Sequence, residues 1–513
     1  MHGRKPALPQ VGSGVGRGAG RRTERDSGRR AEREPGRAVG GEAVEVHLFR
    51  ARDLRLAFLP ETEDLFLVDA VGWDALDLRR RGLPEPAVGR ELAARHGRAA
   101  AHRCLADLAS VLDHLDGSPA AAGWGDADWL ALSAGRPRLR ALCLNVAHDC
   151  DLACSYCFAG RGGFGGARAL MTASVARAAV DFLLEGSGDV QACEMDFFGG
   201  EPLLNLEVVR ETVDYARRRA AAAGKRVGFT LTTNAAALGP DEAAYLNETM
   251  DNVILSLDGR PEVHDRMRRH PDGRPTHAAV RANVERFVAL RGERDYWVRG
   301  TYTAFNLDFS EDVAYLAGLG FRNISLEPVV GGPVGPGRWG LGQAHLEALA
   351  AEYLRLADFL HDSARRGPTV HFFHFIADPE AGPCYAKRVR GCGAGREYLA
   401  VTPEGDVYPC HQFVGREGFR AGHVTEGLDA TLVSGGLGLE GGAAEVAGLW
   451  VGAKEACRLC WARYRCSGGC HANAHAATGS LVKPDPVGCA LQKARLEASL
   501  YLEARQRLSV NTA

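Results

Sequence analysis

The sequence contains no apolar run approaching the roughly 18 residues that a membrane-spanning helix needs. It also lacks an apolar core near its start of the kind that marks a secretory signal. Nor is there an excess of charge: a formal net charge of −2 over 513 residues excludes bulk attraction to nucleic acid or to an anionic membrane. These absences predict a cytoplasmic protein. Methionine is scarce as well. After Met1 the next is Met171, so a start near Val44 or Val46 would use an alternative codon.

Cysteine is what the chain has instead. The 14 cysteines are not scattered through a small domain as a disulfide framework would be; most fall at 150–157 and at 384–489. That clustering predicts metal ligation in a reducing compartment. Cys104, Cys143 and Cys193 stand in apolar surroundings and are expected to be buried small hydrophobes.

Residues 1–43 are rich in Arg, Gly, Pro and Glu without apolar periodicity and are expected to be a disordered basic tail or upstream sequence from a misassigned start; an arginine-rich tail that touches RNA or acidic lipid is a third reading. Residues 44–117 predict a small domain, with strands at 46–49, 54–58 and 65–68 and helices at 73–81 and 101–115. A Pro-, Gly- and Ala-containing linker covers 118–138. Strands at 141–146, 194–198, 227–233, 252–257, 296–303 and 323–328 then alternate with helical stretches, which implies a parallel sheet covered by helices. The expected fold class is α/β, an open, partial (β/α)6 TIM-like barrel over 139–340. A connecting helix lies within 341–383, a cysteine-rich domain at 384–490 and a C-terminal helix at 491–513.

The most informative segment is Cys150-Asp-Leu-Ala-Cys154-Ser-Tyr156-Cys157. Three thiolates on one tight loop can hold three irons of a 4Fe–4S cubane and leave the fourth open to a ligand. Zinc is the rival reading, but structural zinc wants four closed ligands, usually as paired C-x2-C units. His148, two residues before Cys150, is cramped as a fourth ligand. The loop follows the first barrel strand, at the end where active sites of such barrels gather. Phe198-Gly199-Gly200-Glu201-Pro202 follows the second strand, where glycines suit a tight turn or a close backbone approach to a ligand. Further on, Cys392, Cys410, Cys457, Cys460, Cys466, Cys470 and Cys489 form a second array. A zinc ribbon would use four of them and leave Cys392, Cys410 and Cys489 unexplained.

The cysteine triplet with Tyr156 and the Gly-Gly-Glu-Pro run resembles radical S-adenosylmethionine (SAM) enzymes. The later array resembles the SPASM domain of those that modify peptides. Longer stretches, such as Ser325-Leu-Glu-Pro-Val329, Tyr408-Pro-Cys-His-Gln-Phe-Val414 and Cys466-Ser-Gly-Gly-Cys-His-Ala-Asn473, resemble the maturases of SCIFF-type (six-cysteine) peptides. The resemblance runs from about Val46 to the C-terminus; residues 1–43 depart from it. It implies three 4Fe–4S clusters and S-adenosyl-L-methionine as cofactors. The radical-generating cluster would sit on Cys150, Cys154 and Cys157, and Tyr156 would pack on the adenine. Gly199, Gly200 and Glu201 would hold the methionyl ammonium; Asn234, Ser256 and Asp258 would contact ribose and methionyl groups; and Arg299 would pair with the carboxylate. One auxiliary cluster would take Cys457, Cys460, Cys466 and Cys489. The other would take Cys392, Cys410 and Cys470, with Cys384 as an uncertain fourth; without it an iron stays open for a substrate thiolate. Residues 44–117 would be a winged-helix-like element that recognises a leader peptide by β-augmentation, although a cap on the barrel fits the pattern equally.

The implied activity is installation of thioether (Cys sulfur to carbon) crosslinks in a ribosomally made, Cys-rich precursor peptide with a leader, by way of a 5′-deoxyadenosyl radical. An electron donor such as flavodoxin or ferredoxin would be a partner; nucleic acid and membrane would not. His411, Glu327 and Tyr302 are candidates to accept the thiol proton or orient the peptide. Competing readings are thioether formation in a quinohemoprotein amine dehydrogenase subunit, formylglycine formation, and a metal-bearing peptide scaffold without turnover.

Overall fold

The computed structural model describes residues 10–11, 45–116, 138–331, 337–375, 385–428 and 449–511. The remainder of the expected tail, the linker up to residue 137, and Cys384 lie outside the described residues. The chain divides into two units, residues 1–123 with 503–513, and residues 124–502.

In the first unit, β2 (His47–Ala51), β3 (Leu54–Leu59) and β4 (Asp64–Val68) form an antiparallel meander. It is followed by α1 (Ala70–Arg80), α2 (Glu85–His96) and α3 (Arg98–Asp116). Asp69 caps α1, its carboxylate accepting from Gly72 N at 2.8 Å. The helix α2 was not among the expected elements. Pro86 lies in the first turn, where its missing N–H is no loss, and Val88 and Leu92 bury one face against a core that includes Cys104, Ala75 and Phe66. The expected tail contributes one short strand: β1 (Gln10–Val11) pairs parallel with β4. Main-chain pairing at a sheet edge requires no apolar periodicity, so nothing in the composition announces it.

In the second unit six parallel strands lie side by side in chain order: β5 (Ala141–Ala147), β6 (Ala192–Gly199), β7 (Arg226–Thr233), β8 (Asn252–Ser256), β9 (Tyr296–Tyr302) and β10 (Asn323–Pro328). Between them run α4 (Ala173–Gly186), α5 (Leu206–Ala222), α6 (Pro240–Thr249), α7 (Pro261–Met267), α8 (His277–Arg291) and α9 (Phe309–Gly318). This is the α/β partial barrel. Val227, Phe229, Leu231 and Thr233 are buried along β7 while alternate residues are half-covered, the period-2 pattern of a strand with one drier face. Phe197 of β6 stacks on Phe229, centroids 6.1 Å apart.

Two additions close the sheet's flanks. The helix α10 (Leu346–Arg366) buries Leu349, Tyr353, Leu356 and Leu360 on one stripe and leads to β11 (His371–Phe372), which pairs parallel with β10. After α11 (Tyr385–Arg390), β12 (Tyr398–Val401) returns to the opposite edge and pairs parallel with β5. β13 (Asp406–Tyr408), β14 (Gly422–His423) and β15 (Gly427–Leu428) continue antiparallel, giving an 11-stranded sheet. Short helices α12 (Glu455–Arg458), α13 (Arg463–Cys466) and α14 (His471–Thr478) carry the later cysteines, and α15 (Pro486–Asn511) ends the chain's described part.

Tyr302, a candidate to meet substrate, is instead fully buried, its hydroxyl 2.6 Å from that of Tyr353 and its ring stacked on Phe309. Tyr302→Phe should therefore strand the Tyr353 hydroxyl and cost about 1–3 kcal/mol. The thermal unfolding midpoint should fall while cofactor cleavage is retained; loss of cleavage at unchanged stability would contradict the core role.

Candidate active site

The cysteine loop leaves the end of β5 and is clasped from two sides. On one side, Gly200 N donates to Ala147 O at 2.7 Å and Glu201 N to Asp149 O at 2.9 Å. The approach is so close that a Cβ on Gly199 would lie 2.3 Å from Ala147 O, and one on Gly200 2.0 Å from Asp149 O. The two glycines thus admit neighbouring main chain, the segment that enters the cysteine loop. On the other side, Ala153 N donates to Arg269 O at 2.7 Å and Ser155 N to Met267 O at 2.9 Å. The loop is bolted through backbone atoms, which leaves the thiols free.

The thiols fit a metal cluster by their chemistry. Burial pushes Cys154 up to about 12 and Cys150 higher still. As bare groups they are protonated at neutral pH, and thiolates there need a metal's positive charge. Leu152 N lies 3.4 Å and Asn234 Nδ2 3.6 Å from Cys150 Sγ, the N–H donors that a ligating sulfur accepts.

The expected cofactor residues gather at the same ends of the strands. Glu201 is fully buried. Its carboxylate accepts from Leu203 N at 3.1 Å, from Thr233 Oγ1 at 2.8 Å and from Asn234 N at 2.7 Å. Burial and the nearby Asp151 push it up to about 7 against those hydrogen bonds. Asn234 in turn donates from Nδ2 to Asp151 Oδ1 at 2.7 Å, linking the Gly-Gly-Glu-Pro turn to the cysteine loop. Ser256 ends β8 in register with Arg299 of β9.

Asp258 lies just beyond and is also fully buried. It accepts from Tyr156 Oη at 2.5 Å, Arg268 Nε at 3.0 Å and Thr301 N at 3.0 Å. Burial, with the neighbouring Asp258 and Cys154 charges, drives the Tyr156 phenol well above its usual range, against the pull of Arg268. The guanidinium stands 5.5 Å from the Tyr156 ring centroid. Burial alone would lower Arg268, but Asp258, Tyr156 and Cys154 hold it above its ordinary value. Arg299 Nη2 donates to Glu327 Oε2 at 2.7 Å, and His374 Nε2 is 3.6 Å from Glu327 Oε1. Burial opposes ionisation of Glu327, yet Arg299 and His374 hold its carboxyl well below the usual range.

The later cysteines form two sets. Cys457, Cys460, Cys466 and Cys489 lie within electrostatic reach of one another. Cys410 lies within reach of Cys392 and Cys470. Every described cysteine is a free thiol, and Cys104, Cys143 and Cys193 are buried. The second set adjoins the first loop through the turn after Cys410. His411 packs on Phe158 and Phe198, with centroids 5.6 and 5.1 Å away. A Cβ on Gly415 would sit 2.3 Å from Phe164 O, so that turn lies flat against the cysteine loop. His148 is buried with its ring 4.8 Å from Phe164.

Sequence reasoning missed Arg268 and His374. Neither stands in a recognisable spacing, and the link from Arg268 to Tyr156 and Asp258 forms only when loops from β5 and β8 meet. Removing one partner of a buried ion pair costs about 3–5 kcal/mol. Arg268→Met should destabilise the chain by that order and lower iron bound at the Cys150 loop after anaerobic reconstitution, read by iron analysis; wild-type iron and stability would contradict the assigned support.

Residues 144–302 match the Radical SAM superfamily. Among curated relatives, the uncharacterized protein MJ0907 of Methanocaldococcus jannaschii is 26% identical over 190 residues, 37% of this chain and 62% of that protein. The mycofactocin maturase MftC of Mycobacterium ulcerans is 29% identical over 357 residues, covering 67% of this chain and 87% of its own length. The PqqA peptide cyclase of Xanthomonas oryzae pv. oryzae is 27% identical over 358 residues, covering 67% and 86%. Among solved structures, native anSMEcpe with bound AdoMet and Cp18Cys peptide superposes with a TM-score of 0.58 at 21% identity, over 72% of this chain and 99% of that one. Streptococcus suis SuiB bound to S-adenosylmethionine gives 0.50 at 15% identity, over 86% and 98%; both likenesses concern the fold. The clasped cysteine loop lies inside the segment that matches the Radical SAM superfamily, and over two thirds of its length the chain is similar to peptide maturases.

Proposed function

We propose that this enzyme installs thioether crosslinks, from cysteine sulfur to carbon, in a ribosomally made, Cys-rich precursor peptide. The observation that supports the reading is that Cys410 lies within reach of Cys392 and Cys470, while its neighbour His411 packs on Phe158 and Phe198 beside the Cys150 loop. Three thiols beside a radical-generating loop suit an iron that takes a substrate thiolate as its remaining ligand. The maturase and peptide-cyclase names of the relatives support a peptide substrate.

In this reading Cys150, Cys154 and Cys157 hold the first cluster, which with bound S-adenosylmethionine supplies the 5′-deoxyadenosyl radical chemistry. Cys457, Cys460, Cys466 and Cys489 hold one auxiliary cluster, and Cys392, Cys410 and Cys470 the other, with Cys384 its uncertain fourth ligand. Tyr156, Gly199, Gly200, Glu201, Asn234, Ser256, Asp258 and Arg299 form the cofactor cradle at the strand ends. Glu201 and Asp258 do so largely by orienting others. Glu201 sets Asn234, and Asp258 sets Tyr156 and Arg268, through the hydrogen bonds described above. Such pre-set dipoles need no rearrangement when the cofactor binds. The small N-terminal β domain would take the leader peptide, and a flavodoxin- or ferredoxin-like protein would supply electrons.

Of the three candidate proton acceptors, His411 is the one the geometry favours. Tyr302 is in the core, and Glu327 is committed to Arg299 and His374. Burial pushes His411 down to about 4, so it is neutral at pH 7. Tyr398 Oη is hydrogen-bonded to Cys143 and lies 3.2 Å from His411 Nδ1. With the phenol donating to the thiol, Nδ1–H donates to Tyr398 and leaves Nε2 as the acceptor for a thiol proton.

The test is co-expression with a short Cys-rich reading frame beside the gene, followed by mass spectrometry. Each crosslink should remove two hydrogens and one free thiol; an aldehyde product would instead mean formylglycine formation and overturn the proposal. Alanine at Cys150, Cys154 and Cys157 together should abolish 5′-deoxyadenosine release yet preserve the absorption of the auxiliary clusters. Retained release would sink the assignment of the radical-generating loop. For His411→Phe, 5′-deoxyadenosine release should continue while crosslinked product falls tenfold or more, and equal losses in both would argue against a proton-accepting role.

A further inference from the structure

Lys454 is fully buried, an expensive place for an ammonium unless anionic groups surround it. Its Nζ donates to Gly468 O at 2.8 Å and to His471 Nδ1 at 3.1 Å. An ammonium can only donate, so His471 Nδ1 is the acceptor. The carbonyl that receives Lys454 belongs to Cys466-Ser-Gly468-Gly-Cys470, the loop that joins one cysteine set to the other. Gly468 has φ +82°, and a Cβ there would stand 3.4 Å from Lys454 Cδ, so the loop wraps the lysine stem. At the other end, Lys454 O accepts from Cys457 N at 2.8 Å. Burial pulls Lys454 below its ordinary value, and Cys457 and Cys466 of one set and Cys470 and Cys392 of the other act against that pull.

We propose that Lys454 is the shared internal counter-charge of the two C-terminal clusters, a positioning residue that ties their joining loop and raises the reduction potentials of both. This rests on the reading of two auxiliary clusters given above. The net charge around an iron–sulfur cluster and the hydrogen bonds about it set its potential, and a buried cation at short range favours the reduced, more negative state. One side chain placed between two clusters would move both couples in the same direction. No spacing rule marks such a lysine, because its partners come from three separate segments.

The experiment uses the full-length chain with alanine at Cys150, Cys154 and Cys157, so that only the auxiliary clusters report. After anaerobic reconstitution, iron content and an electron-paramagnetic-resonance redox titration are measured for this protein and for Lys454→Met and Lys454→Arg added to it. Lys454→Met should keep its iron and, at a fixed solution potential, lower the ratio of reduced to oxidised cluster at least tenfold for both couples, a shift of about 59 mV for a one-electron couple. Lys454→Arg should stay near the parent. Unchanged potentials with iron retained, or a shift of one couple alone, would overturn the shared role. If Lys454→Met loses iron, recovery of iron and potentials by Lys454→Arg supports the charge, and loss in both variants overturns it in favour of packing. A parent protein that binds zinc in place of iron would overturn the two-cluster reading itself, and with it the role of Lys454.

Discussion

Everything at the candidate active site depends on the clasp between the end of β5 and the Gly-Gly-Glu-Pro turn. Two main-chain hydrogen bonds, from Gly200 N to Ala147 O and Glu201 N to Asp149 O, are possible only because neither glycine carries a Cβ. They bring the second strand's exit against the first strand's exit. Once Glu201 is placed there, its buried carboxylate collects Thr233 and Asn234 from β7, and Asn234 reaches back to the cysteine loop. Three consecutive strand ends are thereby locked together.

A second anchor works from the far side. Asp258 after β8 joins Tyr156 of the cysteine loop, Arg268 after α7 and Thr301 of β9. The carboxylate is desolvated, so its three donors matter more than they would at a surface. The two anchors divide the labour. One fixes where the loop begins, and the other fixes the aromatic residue between its last two cysteines.

The coupling of the barrel to the C-terminal cysteines comes from strand pairing. β12 extends the barrel sheet by lying parallel to β5. The turn that follows the next hairpin strand therefore delivers Cys410 and His411 to the flank of the Cys150 loop. A shared sheet is a stiffer connection than a linker, and stiffness is what the two proposed metal sites would require to act on one peptide.

Much of this was legible in the chain itself. The six barrel strands stand close to their expected positions because their apolar alternation and flanking turns are local signals. The cysteine triplet, the Gly-Gly-Glu-Pro turn and the two later cysteine sets are recognisable because each is a short run of particular residue types at fixed spacing. Other features were not legible. Helix α2 was hidden by prolines and a glycine that normally break helices. The edge strand Gln10–Val11 carries no pattern at all. Tyr302 and Glu327 resembled substrate-facing groups until tertiary packing spent one on Tyr353 and the other on Arg299 and His374. The sequence by itself determined where the thiols stand and at what spacing, because spacing along the chain is a local property. What only the tertiary structure decided is which polar groups stand beside them: Arg268, His374 and Lys454 meet partners from other segments, and a buried polar group takes its meaning from whatever the fold places around it.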